Sequence, residues 1–324
     1  MKKYAIQLAQ IISLLGVDYM THIKYIDIER LETPETSSIF DHPDDEIIIE
    51  EKIDGGNGCF WLQEGQIHVA SRNRDLTELC DEKTFLVQRK WLCNHLADKM
   101  ELLDPNYRYY IEWMQKHTIN YGKDISPIIG LDIRPIIGAF GRGVLFLGYR
   151  AKCDAFDKIG IPVVALKGIY KVKDLNAAVY DKLTEKSIYY DGKPEGIVLK
   201  NYNRLNIFGR QIFAKIVLEE FKETNRAVFG SAKKDTSDTV RLVETYCTEM
   251  RIRKRILSLV QDGGMVLDRK LMSYLPISVC TDIFKEETAD ILKNYKNISV
   301  VTLKQMIAKK CLAQIDIMII EQTK

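Results

Sequence analysis

No apolar run in the 324 residues reaches the ~18 positions that a membrane-crossing helix needs. The chain also has no C-x-x-C pair. Its seven cysteines (Cys59, Cys80, Cys93, Cys153, Cys247, Cys280 and Cys311) are scattered and odd in number. A zinc ribbon and a disulfide framework are both poor readings, and reduced thiols in a cytosol-like compartment are expected. The five histidines, His22, His42, His68, His95 and His117, show no metal-ligand spacing. There is no internal repeat and no low-complexity tract. Tyr4–Leu15 reads as a helix, but Gln7 and Gln10 interrupt it and no small-residue cleavage site follows, so no signal peptide is expected.

What remains is ordinary globular composition, 46% hydrophobic and 28% charged. The length favours two domains. The net charge of +2 is uneven: from Arg226 onward 17 basic residues face 12 acidic ones. A basic appendage on a near-neutral body hints at a polyanionic partner. Asp41–Asp45 reads as a turn before a strand at Glu46–Glu50. Further strands are expected at Phe60–Leu62, Ile67–Ala70, Tyr109–Trp113, Val144–Tyr149, Gly196–Lys200 and Ile212–Val217, with helices at Thr84–Lys99 and Val172–Leu183. The elements do not alternate regularly, so the expected class is α+β with a mixed, mainly antiparallel sheet. After about Asn225 the apolar spacing becomes helical, for example Val300, Leu303, Ile307, Cys311, Ile315 and Ile319. The expected domains are 1–225 and an all-helical 226–324, joined by the polar stretch Phe229–Asp238.

Five segments carry chemistry. Glu51-Lys52-Ile53-Asp54-Gly55-Gly56 places a lysine after a β-branched run and before a glycine turn. Glycines permit close approach and unusual dihedrals. A lysine at such a corner is a candidate nucleophile towards phosphorus, or simply a solvated hairpin residue. Ser71-Arg72-Asn73 follows a strand. Tyr110-Ile111-Glu112-Trp113 sets a carboxylate in an apolar strand. Glu195-Gly196-Ile197-Val198-Leu199-Lys200 opens on a carboxylate and closes on a lysine. Ala214-Lys215-Ile216-Val217 holds a lysine mid-strand. A charge among apolar strand neighbours is costly unless it is paired or faces a ligand.

Taken in order, these segments resemble nucleotidyltransferase motifs I, Ia, III, IV and V of the covalent lysine superfamily of ligases and capping enzymes. Ile111–Tyr121 and Asp191–Lys200 resemble most the ATP-dependent RNA ligases, in particular the type-2 phage group. The helical tail also suits that group, whereas DNA ligases and capping enzymes, the alternative reading, carry an OB-type barrel. The resemblance spans Glu51 to Val217. It implies an adenylyltransferase domain followed by an RNA-binding or end-sensing helical domain. The implied reaction joins an RNA 3′-hydroxyl to a 5′-phosphate through lysyl-AMP, as in RNA repair. ATP is the AMP donor, and Mg²⁺ or Mn²⁺ the metal.

By matched position Lys52 is the implied nucleophile. A lysine amine attacks only when neutral, against an ordinary pKa of ~10.4. Lys200 and Lys215 are implied on the α-phosphate, Glu51 at the adenine edge, and Asn57 near the ribose. Arg72 and Glu112 are implied on the ribose hydroxyls, and Glu195 with Asp54 around hydrated metal. Phe146 is the candidate adenine-stacking aromatic. Arg251, Arg253, Lys254 and Arg255 form the densest basic cluster and are candidates for RNA phosphates. Val217 departs from the family's usual second motif V lysine, and Lys222 is the nearest basic residue after it. The expected partner is RNA, with nicked duplex, splinted strand and cleaved tRNA loop all open. A monomer in the cytoplasm is expected, or in a host's cytoplasm for a phage-encoded enzyme.

Overall fold

A computed structural model describes residues 22–31, 33–78, 83–115, 119–122, 124–136, 145–218 and 237–322. The expected helix at Tyr4–Leu15, nearly all of the expected linker, Cys80, His117 and Lys222 lie outside these residues. The strands are β1 (Glu29–Arg30), β2 (Glu46–Lys52), β3 (Gly56–Gln63), β4 (Gln66–Ser71), β5 (Tyr107–Trp113), β6 (Ile128–Pro135), β7 (Leu166–Lys171), β8 (Gly196–Leu205) and β9 (Gln211–Val217). The helices are α1 (Leu86–Leu96), α2 (Tyr149–Lys158), α3 (Ala177–Thr184), α4 (Asp238–Tyr246), α5 (Glu249–Leu257), α6 (Leu275–Asn294) and α7 (Val300–Gln322).

The strands form two sheets, ordered β1-β9-β8-β2-β7 and β4-β3-β5-β6. All pairings between strands are antiparallel except β1 with β9, so the fold is mixed α+β. Side-chain alternation gives each sheet two working faces. In the five-stranded sheet Ile47, Ile49, Ile197, Leu199, Ile212 and Ala214 pack outward with Leu183 of α3. In the other sheet Phe60, Tyr109, Ile111, Trp113 and Ile133 pack outward with Leu92 and Leu96 of α1 and Phe156 of α2. The opposite faces look at each other across a cleft. The chain crosses from one sheet to the other at Ile53–Gly55, immediately after Lys52.

The glycines after Lys52 serve close approach rather than unusual dihedrals. None of Gly55, Gly56 and Gly58 has positive φ. A Cβ on Gly58 would lie 1.9 Å from the Trp113 Nε1, and one on Gly55 2.8 Å from the Glu112 Cγ. The turn can therefore lie against β5 only without side chains.

The expected strand at 144–149 is not formed by its described residues. Leu145–Gly148 is irregular, and Tyr149 opens α2. The Gln211 side chain meets both backbone groups of Phe146, its Oε1 accepting from the Phe146 amide at 2.6 Å, and the Leu147 amide makes a single backbone bond to the Ile133 carbonyl of β6 at 2.9 Å. Cys59, Cys153, Cys247, Cys280 and Cys311 are free thiols.

Residues 237–322 are helical around a separate core that includes Leu242, Ile252, Ile256, Val279, Ile283, Ile307 and Ile315. Ser237 caps α4, its Oγ accepting from the Val240 amide, and Thr248 caps α5 by accepting from the Arg251 amide. The cap at Thr248 divides what the apolar spacing alone suggests is continuous. A five-residue π-helical turn, Ser258–Asp262, follows α5, and no strand occurs among the described residues after β9. No described helix is long and apolar enough to cross a membrane.

Candidate active site

The cleft between the sheets is about 320 Å³ and is bordered by Lys52, Asp54, Asn57, Arg72, Glu112, Glu195, Lys200 and Lys215. Strand register explains this convergence. Lys52 pairs with Gly196, Glu50 with Val198 and Ile48 with Lys200. Beyond them, Gly196 pairs with Val217, Val198 with Lys215 and Lys200 with Phe213. Directly opposed residues share a face. Glu50, Lys52, Val198, Lys200, Lys215 and Val217 therefore share the cleft floor. On the facing sheet Asn57 pairs with Glu112, so both point inward, and Arg72 follows the last residue of β4.

The Lys52 ammonium donates to Glu195 Oε2 at 2.5 Å, and Lys254 of α5 donates to Glu195 Oε1 at 2.6 Å. Burial pushes the Glu195 carboxyl up, but the two ammoniums outweigh it and hold its pKa below the usual carboxylate value. Glu112 lacks that compensation. Burial, opposed by Lys52 and reinforced by the charges of Glu195 and Asp54, pushes it up to about 8. Asp54 Oδ2 accepts from the Ile119 amide at 2.8 Å, while the Asp54 amide donates to the Tyr121 hydroxyl at 2.7 Å. Arg72 is ion-paired with Asp27.

Between the floor and the facing sheet lies a buried charge network around Lys200 whose other members, Glu50, Asp132 and Lys152, are not among the expected site residues. Lys200 Nζ sits 2.6 Å from Asp132 Oδ2 and 2.6 Å from Glu50 Oε2. Lys152 of α2 is fully buried, paired with Glu50, and donates to the Leu131 carbonyl at 2.8 Å. Asp132 also accepts from the hydroxyls of Tyr25 and Tyr202. Burial pushes the Lys200 ammonium down, but Asp132 and Glu50 outweigh it and hold its pKa above the ordinary value. A buried charge needs this much partnering to persist. Asp132 carried the same signal in sequence as Lys215, a charge inside the apolar run Ile128–Ile133.

Three of the expected groups are engaged by neighbours that bear on their implied roles. Glu51 borders the cleft, but its carboxylate is engaged by the chain that follows α3 and by Lys167. The carboxylate accepts from the Ser187 hydroxyl at 2.5 Å and the Ile188 amide at 2.8 Å, and lies 3.2 Å from Lys167 Nζ. Two-residue alternation puts Glu51 on the α3 side, where it ties down the chain that follows α3. Phe146 does not border the cleft. It packs against Phe213, Tyr110 and Tyr25 in the apolar layer between the sheets. Aliphatic Leu131, Val164 and Val198 border the cleft instead. The basic cluster on α5 is dispersed by the 100° step of the helix. Arg251 is buried on Asp282 (2.5 Å) and Glu287 (2.8 Å), Arg253 pairs with Glu321, and Arg255 donates to Ser278. Only Lys254 turns into the cleft.

The α6 side of the helical region also borders the cleft. Glu286 lies 3.5 Å from Lys215 and 3.3 Å from Arg30, and Lys285 lies 3.1 Å from Asp27. Arg74 donates to the Asp262 carbonyl at 2.9 Å, which fastens the π-helical turn to the end of β4.

Two facing antiparallel sheets with a lysine at their crossing define a nucleotidyltransferase-type fold. The RNA ligase family model matches residues 45–217, more than half the chain, and the chain belongs to that family. Among solved structures, Naegleria gruberi RNA ligase with pyrophosphate is 17% identical at a TM-score of 0.48, over 63% of this chain and 58% of that one. An archaeal ATP-dependent RNA ligase is 12% identical at a TM-score of 0.43, over 90% of this chain and 64% of that one. The chain thus spans less than two thirds of either relative. No curated protein matches the sequence.

Proposed function

We propose that this protein is an ATP-dependent RNA ligase that works through a covalent Lys52–AMP. The observation that carries the reading is Lys52 on a cleft floor beside Glu195, with Lys200 and Lys215 on the same face, inside the segment that matches the RNA ligase family. The neutral Lys52 amine attacks the α-phosphorus of ATP. An N–P bond forms, the Pα–O bond breaks, pyrophosphate leaves with the electron pair, and the amine gives up a proton to solvent. A 5′-phosphate oxygen of RNA then displaces Lys52 from AMP, and the lysine nitrogen regains a proton. Finally a 3′-hydroxyl attacks that phosphate, AMP departs, and a phosphodiester remains.

All three steps are in-line displacements at phosphorus, which positioning and charge neutralisation accelerate. Lys215 supplies charge at the surface of the floor. Lys200, fixed by Asp132 of the facing sheet and by Glu50, supplies a rigid one. Leu131, Val164 and Val198 offer the base aliphatic faces. Asn57, Arg72 and Glu112 lie where ribose hydroxyls can be held.

The residues also fit a divalent metal. Asp54, Glu112 and Glu195 all border the cleft, close enough for Glu195 and Asp54 to add to the burial that raises the Glu112 carboxyl pKa. A Mg²⁺ or Mn²⁺ ion held by these carboxylates would be contacted largely through water, since magnesium keeps several waters and uses few carboxylates. When bound, such an ion neutralises phosphate charge. The helical residues 237–322 complete the enzyme on the RNA side, and the substrate is RNA with a 3′-hydroxyl and a 5′-phosphate.

Intact mass after incubation with magnesium and ATP or GTP tests the reading. The expected result is one added AMP with ATP, none with GTP, and none in Lys52→Ala. Addition of GMP indicates a capping-type enzyme, and label retained in Lys52→Ala shows that the nucleophile is another residue.

A further inference from the structure

The floor of the cleft carries a lysine in three places, and its remaining end is apolar. Val217 stands opposite Gly196, on the same face as Lys215 and Val198 and beside Lys52. The Leu218 amide donates to the Glu195 carbonyl at 3.0 Å, so this end of β9 is fastened to the residue that receives Lys52. Gly196 adds no side chain there. The β9 backbone lies close against Gly196, the Ile216 carbonyl only 2.0 Å from where its Cβ would be, and β9 brings no cation of its own to the end of the floor nearest the nucleophile.

Lys254 comes to that end from outside the sheets. Its ammonium and that of Lys52 bind the two oxygens of one carboxylate, at 2.6 and 2.5 Å. Glu195 is 1% exposed and Lys254 19%. The neighbouring basic residues of α5 all turn elsewhere, so the helix delivers one charge. The Thr248 cap and the π-helical turn at Ser258–Asp262, held by Arg74, fix the helix at both ends.

We infer that Lys254 is a catalytic cation supplied by the helical region, placed on the nucleophile side of the reacting phosphate at the position β9 leaves apolar at Val217. This rests on the ligase reading of the cleft and adds to it a residue outside the family-matched segment. A phosphate oxygen brought to Lys52 would take the place that the Glu195 carboxylate now holds between the two ammoniums. Lysyl-AMP formation and AMP transfer occur at the AMP phosphorus, and sealing occurs at the RNA phosphorus joined to it through one bridging oxygen, so Lys254 neutralises phosphate charge in each.

The test uses the full chain in single-turnover assays of lysyl-AMP formation and of sealing a pre-adenylylated RNA strand. Lys254→Ala is expected to slow both steps by ~10²-fold at saturating substrate, the usual effect of removing a preorganised charge. Lys254→Arg should recover a substantial part of the rate. Arg253→Ala, on the outward face of the same helix, should adenylylate as wild type does. Circular dichroism and urea midpoints of the variants report folding separately. A Lys254→Ala rate within threefold of wild type in both steps overturns the inference. So does a rise in the ATP requirement with an unchanged saturating rate, since that is the signature of a domain clamp. A wild type that forms no lysyl-AMP sinks the ligase reading and this inference with it. A wild type that forms it, with Lys254→Ala unaffected, sinks the inference alone.

Discussion

Glu112 and Lys152 show what burial does to a single charge. The Glu112 carboxyl is pushed from its ordinary 4.5 to about 8. Between those values the unfolded chain has lost the proton and the folded chain keeps it, so stability falls as pH rises through that window. Glu112→Gln should remove this component. Urea midpoints from pH 5 to 9 should fall more steeply for wild type than for the variant, and parallel curves would count against a raised pKa. Lys152 presents the opposite case, since its ammonium is already paired with Glu50. Lys152→Ala leaves Glu50 and Asp132 to share Lys200, and losing one partner of a buried pair costs about 3–5 kcal/mol. Equilibrium urea unfolding measures it, and a loss under 1 kcal/mol would mean the network is not a stabilising unit.

At the scale of elements, the turn between β2 and β3 and the cap of α5 set the geometry. Gly58→Ala forces a Cβ into the Trp113 ring and the Ala70 carbonyl, 2.5 Å away. Overpacking of this kind costs about 1–3 kcal/mol, and the strain falls on the strands that carry Asn57 and Glu112. Thermal unfolding should show the loss, with lysyl-AMP formation falling alongside it. Thr248→Ala removes the α5 cap at a cost of about 1 kcal/mol. It should slow adenylylation less than Lys254→Ala does, because a frayed helix still delivers the lysine part of the time. Equal losses would place the importance of α5 in its packing. Strand periodicity made most of these elements readable. It failed at Leu145–Gly148, where alternation looked strand-like but the Gln211 side chain takes both backbone groups of Phe146 and only Leu147 bonds to a neighbouring strand.

For the whole molecule, the helical region closes over the sheets through carboxylates and ammoniums that meet in the cleft. Glu286 sits on Lys215 and Arg30, and these cations outweigh burial to keep its carboxyl pKa low. An ATP phosphate that uses Lys215 must compete with Glu286. Glu286→Gln should therefore lower the ATP concentration for half-maximal adenylylation by roughly two- to fivefold, the scale of one partly exposed ion pair. Titration of the single-turnover rate against ATP measures it, and an unchanged or higher requirement would show that Glu286 does not compete there.

The sequence by itself determined the class of fold, the helical character of the C-terminal third, the segment matched by the RNA ligase family and the local strand faces. These depend on residue order and on periods of 2 and 3.6, which are local. It could also bring Lys52, Glu112, Glu195, Lys200 and Lys215 under suspicion, because each is a charge in or beside an apolar run. Only the tertiary structure decided what those charges meet. Pairing of β2 with β8 and β8 with β9 put Lys52 and Val217 on either side of Gly196. Packing between the sheets buried Phe146, and the turn of α5 sent Arg251 inward and Lys254 across to Glu195. Contacts between residues 59 positions apart, as Lys254 and Glu195 are, leave no local pattern, since neither side chain's sequence neighbours name the other as its partner.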